Sequence, residues 1–223
     1  MRDQYNEQLE QLNGRLSEMG ALCEACIDSV AVTLSGLNAD GTKNEETTEQ
    51  RVLKIYRTDA EIDEMERTIE AQCLRLLLKQ QPVAGDLRFI SAALKMISDM
   101  ERIGDQAADI AEITLDIAHS PMISRVPIAE MARNAIVMVT DSIDSFVRKN
   151  LSLAQAVVRR DDEVDQLFLD VKQELVRLLG QGDSGEVCID LLMIAKYLER
   201  IGDHAVNIAE WVEYSLTLSL IHI

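Results

Sequence analysis

The stretch ERIGDQAADIAE runs from Glu101 to Glu112, and ERIGDHAVNIAE runs from Glu199 to Glu210. Nine of the twelve positions are identical across an offset of 98 residues. Each copy carries a glycine inside what otherwise reads as helix, with acids at fixed spacing around it. On a helix at about 100° per residue, with Glu101 at 0°, Asp105 falls near ~40°, Asp109 near ~80° and Glu112 near ~20°. The apolar residues Ile90, Ile97, Met100, Ile103, Ala107, Ala108, Ile110 and Ala111 fall between about 180° and 340°. Four carboxylates therefore form a narrow stripe beside a core-facing side. The second copy repeats the stripe with Glu199, Asp203, Asn207 and Glu210.

Working outward, helical periodicity extends over nearly the whole chain. The pattern predicts six helices, at about 5–36, 45–80, 84–118, 128–149, 153–180 and 185–218. No segment alternates as a strand. The first helix stops at the turn-rich LNADGTKNEE, the second before Pro82, the third at His119-Ser120-Pro121, and the fifth at GQGDSG. Other short pairs match across the halves. Asp28-Ser29-Val30 resembles Asp141-Ser142-Ile143, and DAEID at 59–63 resembles DDEVD at 161–165. The offset falls from 113 to 102 to 98, as shorter connections in the second half would produce. The expected fold is all-α: two tandem, pseudo-symmetric three-helix bundles, with repeats at 1–120 and 121–223.

The stripe is costly for an isolated helix. Like charges at i,i+4 destabilise by ~0.2–0.5 kcal/mol per pair, and Gly104 and Gly202 add roughly 1 kcal/mol each relative to alanine. Asp59 and Asp63, matched by Asp161 and Asp165, place a second acidic pair in each half, which suggests two acidic helices per half facing one another. Two readings follow. Arg102, Arg200 or lysines on neighbouring helices neutralise a solvated acidic face, or the carboxylates hold a hard cation such as Mg, Ca, Mn or iron. The glycines likewise allow either close helix–helix approach or room for a bulky group against the backbone.

Composition narrows the classes. The chain has 223 residues, a net charge of −17 and only 4% aromatics. A field of that sign repels phosphate backbones, so no nucleic-acid contact is expected. No run approaches the ~20 apolar residues of a membrane span, and the polar start MRDQYNEQLEQLNGRL has no secretory pattern, which points to the cytoplasm. The C-terminal SLTLSLIHI is apolar but too short to span. Cys23 and Cys26 form a lone CxxC with no further pair of ligands among Cys73, Cys188, His119, His204 and His222. They read as ordinary helix positions in a reducing compartment. No nucleophile motif appears, and the Glu-x-x-His pair of di-iron bundles is missing. His204, whose counterpart is Gln106, reads as a solvated or hydrogen-bonded histidine.

LERIGDHAVNIAE at 198–210, DMERIGDQAADIAE at 99–112 and QPVAGDLR at 81–88 together resemble the PhoU family of bacterial and archaeal phosphate-transport accessory proteins. The resemblance covers nearly the whole chain. It implies two three-helix bundles and multinuclear clusters of iron, or of Mn, Zn or Mg, on the acidic motifs. Carried over, these motifs are Glu101, Asp105 and Asp109 in the first repeat and Glu199 and Asp203 in the second. Asn207 stands where a further carboxylate would complete the second. The resemblance also implies a homodimer, no catalytic activity, and negative regulation of phosphate uptake and the phosphate-starvation response. In that role the protein links the ATPase subunit of a phosphate ABC transporter to a sensor histidine kinase. The alternative is a bundle whose primary role is to bind or store metal. A carboxylate-metal phosphohydrolase lacks a visible base or cationic clamp.

Overall fold

The computed structural model describes residues 2–36, 46–118 and 120–217. His119 and 218–223, including His222 and most of the apolar C-terminal stretch, lie outside them. Among the described residues six α-helices follow one another: α1 (Arg2–Ser35), α2 (Thr48–Gln80), α3 (Gly85–Ile117), α4 (Ile128–Val147), α5 (Leu151–Gly180) and α6 (Gly185–Thr217). A single 3₁₀ turn at Ile123–Arg125 precedes α4. There is no strand among the described residues, and none of their helices is long and apolar enough to cross a membrane.

The width of each apolar face sets each helix's place. On α2 the buried positions Ile55, Ile62, Ile69 and Leu76 recur every seven residues, and on α5 Val157, Val164, Val171 and Leu178 do the same. A stripe that narrow suits a helix packed on one side. Accordingly α2 packs on α1 and α3, and α5 packs on α4 and α6. On α3 and α6 the buried face is broader and rich in small residues: Ala93, Gly104, Ala107 and Ala111 in one, Gly202, Ala205 and Ala209 in the other. These two pack against each other at the centre, and α1 packs against α4. The two three-helix repeats thus face one another across α1, α3, α4 and α6, and their buried residues form one continuous core. Of the apolar residues assigned to the inner side of α3, all are buried except Ala108, which is half-buried.

Local chemistry fixes the helix ends. Thr47 caps α2 in a reciprocal box: its hydroxyl accepts from the Gln50 backbone N–H, and the Gln50 side chain accepts from the Thr47 N–H. That starts α2 three residues later than periodicity alone suggests. Asn150 accepts from Leu153 N–H and starts α5 directly after α4, whose end is turned by Lys149 at φ 51°. All four cysteines are free and buried. Cys23 donates to Met100 O at 3.4 Å and Cys26 to Ile55 O at 3.9 Å, so the CxxC serves as helix-to-helix packing.

Candidate metal centre on two acidic stripes

The DAEID and ERIGD segments meet because α2 and α3 pack side by side, and so do α5 and α6 in the second repeat. Gly104 is buried against α2: a Cβ built there would lie 2.7 Å from Asp59 Oδ1 and 3.1 Å from Ile62 Cδ1. The glycine thus serves close helix approach, and what it admits is the Asp59 carboxylate. At Gly202 the corresponding atom is Asp161 Oδ1, at 3.5 Å. Both oxygens are buried without a hydrogen-bond partner. An orphaned anionic oxygen at equivalent places in both repeats is uncommon in a folded protein.

Ligand atoms of Asp59, Asp63 and Asp105 lie within 4.8 Å of one another. Burial pushes the Asp59 carboxyl up to about 6, helped by the charges of Asp105, Asp63 and Asp109. Burial and Asp105, Glu66 and Asp63 raise Glu101 against the opposing pull of Arg102. Burial, Asp63 and Asp109 raise Asp105. In the second repeat burial pushes Asp161 up to about 6, with Asp165, Asp203, Asp162 and Glu199 adding to it. Burial and Glu199 raise Asp203 despite Lys196 and His204. This donor set is all oxygen, partly desolvated and mutually repelling. It fits a hard divalent or trivalent cation, whose charge would reverse each of these shifts.

The repeats are unequal. Among the described residues, only the first stripe brings three such groups within that spacing. Lys196 accounts for part of the difference. It pairs with Glu199, and its ammonium lies 5.6 Å from the centre of the Phe168 ring. The counterpart of Lys196 in the first repeat is Ser98, and that of Phe168 is Glu66. Ser98 donates to Glu66 Oε1 at 3.3 Å. The first stripe therefore gains an acid where the second gains a ring and a cation. Glu66 was missed by sequence reasoning, although it stands one turn beyond Asp63 in the same acidic run.

Asp109 and Asn207 lie where α3 and α6 cross. Asp109 contributes to the field on Asp59, yet it also faces the Tyr197 phenol of α6, whose pKa it raises together with burial. Asn207 donates to Asp99 Oδ1 at 3.0 Å, and His204 Nδ1 lies 2.9 Å from the same oxygen. His204 is therefore a hydrogen-bonded histidine at the seam between repeats. Asp165 is exposed while its counterpart Asp63 is half-buried, and Asp105 and Asp203 are both exposed.

The PhoU domain family matches residues 16–114 and again 128–212. The chain belongs to the PhoU family. A PhoU homolog of the phosphate-specific transport system from Clostridium acetobutylicum is 34% identical over 219 residues, covering 96% of this chain and 94% of that one. A Pseudomonas aeruginosa homolog is 32% identical over 214 residues, covering 95% and 84%. The crystal structure of PhoU from P. aeruginosa superposes with a TM-score of 0.83 at 28% identity, over 96% of this chain and all of that one. The regulatory protein PhoU from Streptococcus pneumoniae shares the fold, with a TM-score of 0.86 at 24% identity. The six-helix, two-repeat architecture is that of the PhoU fold.

Proposed function

We propose that this chain is a cytoplasmic negative regulator of phosphate uptake and of the phosphate-starvation response. It contacts the ATPase subunit of a phosphate ABC transporter and a sensor histidine kinase, and acts as a homodimer. The observation carrying this reading is the PhoU match over both repeats, supported by relatives named as accessory proteins of the phosphate-specific transport system. The test is deletion of the gene followed by phosphate-regulated expression in phosphate-rich medium. Derepression restored by the wild-type gene is the expected result. Unchanged expression overturns the reading.

The acidic stripes favour a metal component. Glu101 and Asp105 with Asp59 and Asp63 would hold one multinuclear cluster, with Asp109 at its edge. Glu199, Asp203, Asp161 and Asp165 would hold a second and weaker one. Iron, manganese, zinc and magnesium all suit the donor set in charge. The orphaned Asp59 Oδ1 is the observation behind this assignment. Metal content of protein purified without chelator, compared with a Glu101→Ala, Asp105→Ala, Glu199→Ala, Asp203→Ala variant, tests it. Stoichiometric metal lost in the variant is expected; equal content in both returns the stripes to a solvated face. A primary role in metal storage would instead give metal loading with no effect of deletion on phosphate-regulated genes.

A further inference from the structure

Within the first repeat, α1 and α2 border a groove of about 240 Å³. Arg15, Arg75 and Lys79 line it together with the amides of Gln8, Gln72 and Gln80, and no carboxylate is among its described lining residues. In a chain of net charge −17 that is a local reversal of sign. The three cations form no ion pair among the described residues. Arg15 instead donates to Gln72 Oε1 at 2.7 Å, and Arg75 Nε reaches only its own helix at Ala71 O, 3.4 Å away. Gln72 is held in turn by its bond to Gln8 O at 3.1 Å, and Gln80 lies 3.4 Å from the Gln8 side chain. Arg15 also borders a neighbouring groove containing Glu18, Glu61 and Glu64, so acids are close but lie on its other side. The start of α1 and the end of α2 lie together, so their end dipoles oppose and the side chains set the sign.

The second repeat provides an internal comparison. The register that matches DAEID to DDEVD places Glu174 opposite Gln72 and Arg177 opposite Arg75. There Arg177 is forked onto Glu174, with its Nε 2.8 Å from Oε2, and Asp170 lines the same stretch of α5. One repeat neutralises its arginine internally. The other substitutes an amide for the acid and adds Arg15 and Lys79.

We infer that the α1–α2 groove of the first repeat is a binding site for a small phosphate-type oxyanion, either inorganic phosphate or a compact phosphate monoester. Arg15 and Arg75 supply forked donors, Lys79 a third charge, and the glutamine amides additional N–H groups. The volume lies below the ~300 Å³ at which pockets for drug-sized ligands begin, which suits a single phosphate group better than a nucleotide. The overall negative field does not prevent this, because salt screens distant charges beyond about 10 Å while the three cations act at contact. The site shares no residue with the acidic stripes. Its binding is measured on purified protein, so its failure leaves the regulatory reading intact.

The experiment is calorimetric titration of the full chain with inorganic phosphate at about 0.1 M salt, after metal has been stripped from the stripes and the chelator dialysed away, so that neither metal nor chelator competes for the anion. Saturable binding is expected. It should weaken about tenfold or more in Gln72→Glu, which installs the acid of the second repeat, and in Arg75→Gln. It should be unchanged in Arg177→Gln, the counterpart position of the second repeat. Arg75 is exposed, so its substitution keeps the test valid if Gln72→Glu disturbs the fold. No saturation up to about 20 mM phosphate overturns the inference, as does equal affinity in both variants. Binding to vesicles containing phosphatidic acid with none to free phosphate overturns it as well.

Discussion

Asp59→Asn isolates the energetic consequence of the first stripe. Asp59 is half-buried beneath Gly104, one carboxylate oxygen has no partner, and Asp105, Asp63 and Asp109 add negative charge around it. Its folded pKa of about 6 lies above the ordinary 3.8, so the folded state holds the proton more tightly than the unfolded chain. Stability tied to this group is fully present below the unfolded value and is lost as the pH climbs through about 6. The unscreened upper bound is ~3 kcal/mol. Partial exposure and counter-ions reduce this to ~1 kcal/mol. The isosteric amide removes the charge and can donate to a neighbouring carboxylate. In chelator at pH 7.5 the variant should therefore be more stable than wild type by ~1 kcal/mol, a rise of ~2–4 °C in Tm for a domain of this size. At pH 5 the advantage should fall to about half, because the folded carboxyl is by then mostly protonated. Saturating Mn²⁺ should reverse the order, since a ligand that binds only the folded state at 100 Kd adds ~2.7 kcal/mol. Thermal unfolding in these three buffers decides the matter. A variant less stable than wild type in chelator at pH 7.5 would refute the electrostatic reasoning. An equal gain from Mn²⁺ in both proteins would remove Asp59 from the site.

Three further outcomes follow. Gly104→Ala should fall below Gly202→Ala in stability by ~1 kcal/mol or more, because the added methyl meets Asp59 and Ile62 at 2.7 and 3.1 Å at the first site but only ordinary contacts at the second. Thermal unfolding of the pair checks this, and equal values would show that Asp59 moves away freely. Lys196→Met should change stability by under ~1 kcal/mol, the pair being partly exposed, yet strengthen divalent binding at the second stripe by removing its resident cation. Calorimetry should then show a second Mn²⁺ equivalent that is weak in wild type. Burial pushes the Cys23 thiol strongly up and Cys26 and Cys73 up to about 12, so a thiol-specific disulfide reagent should leave all three unreacted until the chain unfolds.

The repeat and the helix count were legible because duplication supplies its own control. A segment used twice at a shrinking offset identifies both the unit and its connections. Helix boundaries were read less well, for a local reason. The Thr47–Gln50 box and the Asn150 cap act through hydrogen bonds that hydrophobic periodicity does not register. The pairing of DAEID with ERIGD was anticipated from matched acids, but their buried oxygens were not. Depth depends on how closely α2 approaches Gly104, which is a tertiary quantity. The peripheral place of α2 and α5 was available in principle from their seven-residue spacing of Ile and Val, whose narrowness contrasts with the broad faces of α3 and α6.

The positions where the halves differ carry more functional information than those where they agree. The shared glycine and acids build the same α2–α3 and α5–α6 crossings, and each crossing leaves an aspartate oxygen without a partner. At the acidic stripe the first repeat takes Ser98 and Glu66 where the second has Lys196 and Phe168, so the first carries an additional acid and the second a lysine that offsets part of its charge, although Asp161 is still pushed up to about 6. At the outer groove the first repeat takes Gln72 where the second has Glu174, so it leaves its positive charge uncompensated. If these differences only tuned solubility, uncompensated charge of both signs would be spread across the two halves. The larger excess of both signs lies on the first repeat, at two separate places. The second repeat, with Lys196 paired to Glu199 and Arg177 to Glu174, provides the α4–α6 face on which the first is mounted. Ligand chemistry in this fold is therefore expected to begin in residues 1–120, and loss of Asp59 or Arg75 should cost more function than loss of Asp161 or Arg177.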